Sequence, residues 1–263
     1  MSADVTHLDY LLHLADNALI LGQRNAEWCG HGPILEEDIA MANIGLDHIG
    51  QARLIYQHVA ALKGEGCTED KLAYFRNPEE FRNYVLLELP HNTAFAPSAA
   101  VERDYSVTIA RNFLYSTLML LVWDALQSSQ DAQLAAIAAK SLKEVRYHLR
   151  HSTDWMLRLG DGTADSHTRM QAAVDHLMPY TQEFWLPSAM QTDAANAGVA
   201  VDMASLKDRW QASVNAVLAE ATLKMPSTVG YVTHGTDGVH SEHLSYLLAE
   251  MQSLARAHPE AVW

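Results

Sequence analysis

Residues 38–56 read DIAMANIGLDHIGQARLIY. Wound as a helix, the stretch is apolar on nearly every side. Ile39 and Leu46 fall on one flank, Met41 and Ile55 on the opposite one, and Ala42, Ile49 and Ala52 at the back. A single narrow strip is polar: Asn43, Asp47 and Gln51, spaced i, i+4, i+8 so that they stack on one face. A helix that is hydrophobic all round belongs in a protein interior, where a carboxylate must be paired, protonated or bound to a metal. The stretch therefore predicts a buried helix with a buried polar strip, and a metal site is one explanation of Asp47.

Outward from this point the chain is helical in period. The first helix is expected over about 6–25, with Leu8, Leu11, Leu12, Ala15, Ala18, Leu19 and Gly22 as its core stripe and Asp16 and Asn17 off it. The quoted stretch lies in a second helix over about 35–62. A third is expected over 99–127, and a fourth over 132–159 with Leu134, Ala138, Leu142, Val145, Leu149 and Met156 as its seam. Between the second and third, RNPEEFRNYVLLELP (76–90) offers Asn77 as N-cap, Pro78 at the first helical position and Pro90 as a stop. Further helices are expected near 165–186, 204–223 and 241–257, separated by QTDAANAGVAVD (191–202) and GYVTHGTDGVH (230–240) as surface loops. No alternating strand pattern, internal repeat or shift of composition interrupts the 263 residues. The pattern predicts an all-α fold in one domain, residues 1–263: four long helices in a bundle with a long crossover after the second, and additional C-terminal helices.

A formal net charge of −14 disfavours nucleic acid and anionic membrane surfaces as partners. The apolar run 118–122 is far too short to span a bilayer, and the N-terminus lacks a basic region followed by an apolar core. Cys29 and Cys67 carry no CxxC spacing and read as reduced thiols, so a cytoplasmic protein is expected. Cys29 has no base in a recognisable pattern, and no GxSxG, GxGxxG or P-loop sequence occurs.

A di-iron carboxylate bundle makes a definite demand: two helices each give a Glu, and the other two each give Glu-x-x-His. The second helix instead reads Asp47-His48-Ile49-Gly50, and Gly50 has no side chain to offer. The third has no carboxylate between Arg111 and Trp123. The fourth reads Glu144-Val145-Arg146-Tyr147, with Tyr147 where an imidazole is needed and His148 one residue later. The Glu-x-x-His spelling occurs at Glu88-Leu89-Pro90-His91, where Pro90 breaks the helix. Asp47, Glu144 and His148 are too few for two metals. A buried polar cluster is favoured, in which Lys140, Lys143 or Arg146 neutralises Asp47 while Asn43 and Gln51 complete the hydrogen bonds. His240, Glu242 and His243 open the last helix, where Ser241 or His240 is expected as its cap. His148, His151 and Trp155 share one side of the fourth helix, as a partner contact or a core histidine pair.

The segments LGQRNAEWCGHGPILEEDIAMANIGLDHIGQAR, AAIAAKSLKEVRYHLRHSTDW, LRLGDGT and GVHSEHLSYLLAEMQ resemble the structural, C-type subunits of the ring-1,2-phenylacetyl-CoA epoxidases, multicomponent oxygenases of aerobic phenylacetate breakdown. The resemblance covers nearly the whole chain. It implies a ferritin-like four-helix bundle with a degenerate di-iron site and no catalytic, cofactor or metal residue of its own. It further implies a homologous, A-type catalytic partner that carries the iron, further subunits, and a reductase bringing electrons from NADPH through FAD and an iron–sulfur cluster. The chain is then a non-catalytic companion of the A-type partner, packed against it along the second and third helices. Two other readings remain at this point: an active di-metal oxygenase or oxidase using Asp47, Glu144 and His148, or a stand-alone acyl-CoA-binding helical protein.

Overall fold

The computed structural model describes residues 3–64, 66–93, 102–226 and 232–261. The described residues form α-helices and 3-10 turns and no strand, so the fold is all-α. In chain order the helices are α1 (Ala3–Ala26), α2 (Leu35–Lys63), α3 (Glu69–Tyr74), α4 (Val85–Glu88), α5 (Tyr105–Leu126), α6 (Ala132–Gly160), α7 (Ala164–Leu177), α8 (Ala189–Asn196), α9 (Lys207–Glu220) and α10 (Glu242–Ala257). The four long helices lie where their apolar periods place them. The expected start of the third falls partly outside the described residues, and Asp104 caps it by accepting from the Ser106 N–H. The chain divides into two compact units, one from 1–89 with 233–263 and one from 90–232.

In the first unit α1 and α2 form an antiparallel hairpin. A Cβ on Gly22 would lie 3.2 Å from the Gly45 carbonyl oxygen, and one on Gly45 would lie 3.3 Å from that of Gly22, so the two backbones cross closely where neither has a side chain. α2 starts without a side-chain cap; Glu36, Glu37 and Asp38 crowd its positive end instead, and Asp38 accepts from the Gly32 N–H at 3.1 Å. The 76–90 segment does not continue as one helix to Pro90. It makes a 3-10 turn over Pro78–Glu80, runs extended through Phe81–Tyr84, and then makes the short α4. α10 closes over it: Gln252 donates to the carbonyls of Ala73 and Arg76, and Arg256 donates to Arg76 as well.

In the second unit α5 is the central element, with all but four of its 22 residues buried. The expected pairing face on the third helix is therefore occupied within the chain itself. α6 lies along α5 with its predicted seam inward, apart from the half-buried Leu149, and Trp210 of α9 donates its indole N–H to the Leu114 carbonyl at 3.1 Å. The stretch 191–202, expected as loop, instead begins in α8. Ser188 and Gln191 form a reciprocal capping box there, a local signal that outweighs the small residues after it. The C-terminus of α6 meets the end of α9 at Gly160. Its carbonyl accepts from the His167 ring and the Thr222 hydroxyl, and Thr222 takes φ of 59° to reach it.

A Cβ on Gly160 would stand 2.5 Å from the Ala221 carbonyl oxygen, so backbone must move to admit it. Gly160→Ala is expected to lower stability by roughly 1–3 kcal/mol despite alanine's better helix propensity. Urea denaturation of the two proteins measures this, and an equal or higher midpoint for the variant would contradict it.

Candidate functional site

The positions that a metal centre would use behave differently from one another. On α2, Gln51 is buried, Asp47 half-buried and Asn43 exposed. Each step of four residues advances about 40° around a helix, so a strip spaced i, i+4, i+8 winds from the outer face to the inner one. The expected strip is therefore polar but not buried along its length. The inner face is carried by Met41, Ile44, Gly45, His48, Gln51, Ala52, Ile55 and Tyr56. Correspondingly, α2 is not enclosed on all sides: Leu46 is 66% exposed and Ile39 53%, with Leu35 and Ile49 also exposed. Gly50 shares this outer face, and a Cβ built there meets nothing within 4 Å.

On α6, Glu144 is half-buried and paired at 3.5 Å with Lys140 one turn earlier; Tyr147 is 42% exposed and His148 is buried. Among the described residues Lys143 and Arg146, two of the cations expected to neutralise Asp47, make no ion pair, and the third, Lys140, serves Glu144. A di-iron group does not fit what these positions offer. Gly50 has no ligand atom, Glu144 is committed to a lysine, and α5 carries the buried Arg111 and no carboxylate facing inward.

The buried charge of the first unit sits elsewhere, on residues that helical period alone places off the core. Asp16 and Asn17, expected off the α1 stripe, are fully buried, because residues 10–22 are enclosed on every side. One Asp16 oxygen accepts from the Tyr56 hydroxyl at 2.5 Å and from Arg76; the other accepts from Arg76 at 3.0 Å and from the Arg82 backbone N–H at 2.8 Å. The guanidinium also lies 4.2 Å from the Phe81 ring centroid. Burial opposes the charge on Arg76, but Asp16 outweighs it and holds the group protonated. Burial and the Asp16 charge together push the Tyr56 hydroxyl well above its usual range, so it acts as a donor. Beside this pair, His13 donates Nδ1–H to the Arg82 carbonyl at 2.7 Å, and Asn17 accepts from the Tyr84 N–H at 2.8 Å. Three residues of α1 thus satisfy the backbone of an extended segment that has no ladder of its own.

Glu88 is the second such hub. Its carboxylate accepts from Asn83 at 2.9 Å, from His240 at 2.8 Å and from the Ser241 N–H at 2.6 Å, while Arg24 donates twice to its carbonyl. The expected cap of the last helix is corrected here: neither Ser241 nor His240 caps with its side chain, and Glu88, brought in from α4, accepts from the Ser241 backbone instead. His240 also faces the Phe81 carbonyl at 3.0 Å, so both ring nitrogens meet acceptors, which the imidazolium form satisfies. The sequence signal for both hubs is a lone acid inside an apolar run, LLHLADNALIL and VLLELP, without a helical partner in register.

Comparison with known proteins agrees with the extent of the resemblance. The family model described as phenylacetic acid catabolic protein matches residues 1–263. The chain is 43% identical over 254 residues to the C subunit of the 1,2-phenylacetyl-CoA epoxidase of Escherichia coli (strain K12), covering 97% of this chain and 98% of that protein.

Burial pushes His13 down to about 4, against 6.5 for the free side chain. The unfolded chain takes up this proton first, so the contribution is complete above pH 6.5 and is lost as pH falls towards 4, by about 3 kcal/mol at most. Denaturant midpoints measured between pH 4 and 7 should fall more steeply for the wild type than for His13→Gln. Parallel curves would show that His13 is not held neutral.

Proposed function

The chain belongs to the phenylacetic acid catabolic protein family, and from that premise we propose that it is the C-type subunit of a phenylacetyl-CoA epoxidase, holding no metal itself and supporting a catalytic sister chain. In this reading the sister chain carries the iron and takes phenylacetyl-CoA and O2, further subunits complete the assembly, and a separate reductase brings electrons from NADPH through FAD and an iron–sulfur cluster. The complex works in the cytoplasm; among the described residues no helix is long and apolar enough to cross a membrane. The single ferritin-like domain expected over 1–263 is part of the same reading.

One observation carries it. The outer face of α2 shows Gly50 with open space around it, beside exposed Leu35, Ile39, Leu46 and Ile49. An isolated protein gains nothing from a row of exposed aliphatic side chains, whereas a helix pairing with another chain needs one. Asp16 and Glu88, in the interior of the first unit, are engaged by donors of the same unit, which leaves them no valence for a metal. A supporting role along α2 accounts for both facts.

Co-expression with the sister chain tests the reading. The two chains should co-purify, with about two irons per pair and none on this chain purified alone. Leu46→Asp should release the partner while leaving the circular dichroism of this chain intact, and Asp47→Ala should impair folding or assembly rather than the chemistry of assembled complex. Near two irons on the isolated chain, or full turnover by the sister chain without this one, would overturn it.

A further inference from the structure

The outer face of α6 carries a charge opposite to the rest of the molecule. Within a chain of net charge −14, this helix holds Lys140, Lys143, Arg146, Arg150 and Arg158 against Glu144 and Asp154. Lys140, Lys143 and Arg150 are exposed, and so is Tyr147. Lys140 is drawn onto Glu144, while among the described residues Lys143, Arg146, Arg150 and Arg158 make no ion pair; Asp154 on the same helix is unpaired too. Two of the arginines are nonetheless held in place. The Arg150 guanidinium lies 5.6 Å from the Tyr147 ring centroid and that of Arg158 lies 5.3 Å from the Trp155 ring centroid, with Trp155 itself seated edge-on against Tyr105.

We infer that this face is a docking surface for an acidic surface of another protein, and, resting on the function proposed above, that the protein is a further subunit of the same complex. It is carried by a different helix and has a different chemistry from the apolar face of α2. The cations run from Lys140 to Arg158, about 27 Å along a helix, too long for one small anion to engage and with the convex shape of a single helix face. Arginine, tyrosine and tryptophan together are the composition of protein contact hot spots, and an arginine already stacked on a ring loses less freedom when a carboxylate arrives. The overall charge of −14 repels an acidic partner at long range. At physiological salt the screening length is about 8 Å, so within contact distance the local cations decide the sign of the field. A surface of this kind gives association that is fast, reversible and salt-dependent, the behaviour of a component that comes and goes.

The test uses each remaining component of the complex, purified, titrated against the wild-type chain and against Lys143→Glu/Arg150→Glu at about 50 and 300 mM salt, a range over which the screening length shortens about 2.5-fold. One component is expected to bind the wild type at least tenfold more weakly at the higher salt. It should bind the charge-reversed variant at least tenfold more weakly at the lower salt, with Lys143→Gln/Arg150→Gln intermediate. The Leu46→Asp variant should bind that component normally, so loss of the α2 contact and loss of the α6 contact are read separately. If the reversed variant binds every component as the wild type does, or if coenzyme A rather than any protein shows the reversal-sensitive binding, the inference is wrong. The proposed function survives either result as long as the catalytic sister chain still co-purifies.

Discussion

The first unit depends on a carboxylate that water never reaches. Asp16 is fully buried, and its two oxygens take two contacts from Arg76, one from Tyr56 and one from the Arg82 N–H. Removing one partner of such a buried pair typically costs about 3–5 kcal/mol, because the other charge is then stranded in a medium that cannot solvate it. That constraint spreads outward. The turn at Pro78–Glu80 brings the Arg82 N–H back to the carboxylate that Arg76 already holds, and the extended residues after it are buried with His13, Asp16 and Asn17 replacing the hydrogen bonds they would otherwise make to water. α10 then seals the same segment through Gln252 and Arg256.

α1 and α2 divide the work of polarity in opposite ways. α1 turns its polar side chains inward, where each has a backbone or side-chain partner. α2 turns aliphatic side chains outward, where Ile39 and Leu46 meet solvent in the isolated chain. The inward arrangement ties Asp16, the buried acid of α1, to donors of the same unit. The outward one leaves apolar area to be buried elsewhere, at the usual value of about 25 cal/mol per Å2 of area removed from water.

Much of this architecture is legible in the residues. Apolar periods locate the four long helices, and the failure of the ligand pattern at Gly50 and Tyr147 is visible in the spelling of the chain. What periodicity does not supply is the side of each helix that faces water. α2 is apolar on nearly every side, so its pattern gives little direction; the Gly22–Gly45 crossing and the Tyr56–Asp16 hydrogen bond set the face turned to α1 and leave Asn43 and Leu46 outward. Asp16 and Glu88 escape notice for a related reason. Their partners, Arg76 and His240, lie 60 and 152 residues away, and a local pattern contains no information on such pairings. α8 is hidden by its own composition, since its cap at Ser188 lies just before the stretch that reads as loop.

The separation between Glu88 and His240 also orders events during synthesis. At about 5–20 residues per second, the 152 residues that separate them take roughly 8–30 s to be added. Through that interval the contiguous segment 90–232 can complete its own fold on the ribosome, whereas the unit assembled from both chain ends has α4 and the N-terminal hairpin in place without α10. The Glu88 carboxylate then has Asn83 but lacks His240 and the Ser241 N–H, and the Ala73 and Arg76 carbonyls lack the donors that Gln252 and Arg256 later bring. α10 is thus the element that commits the first unit, and until it is added the surroundings of Glu88 and Arg76 are the part of that unit most open to proteases and chaperones.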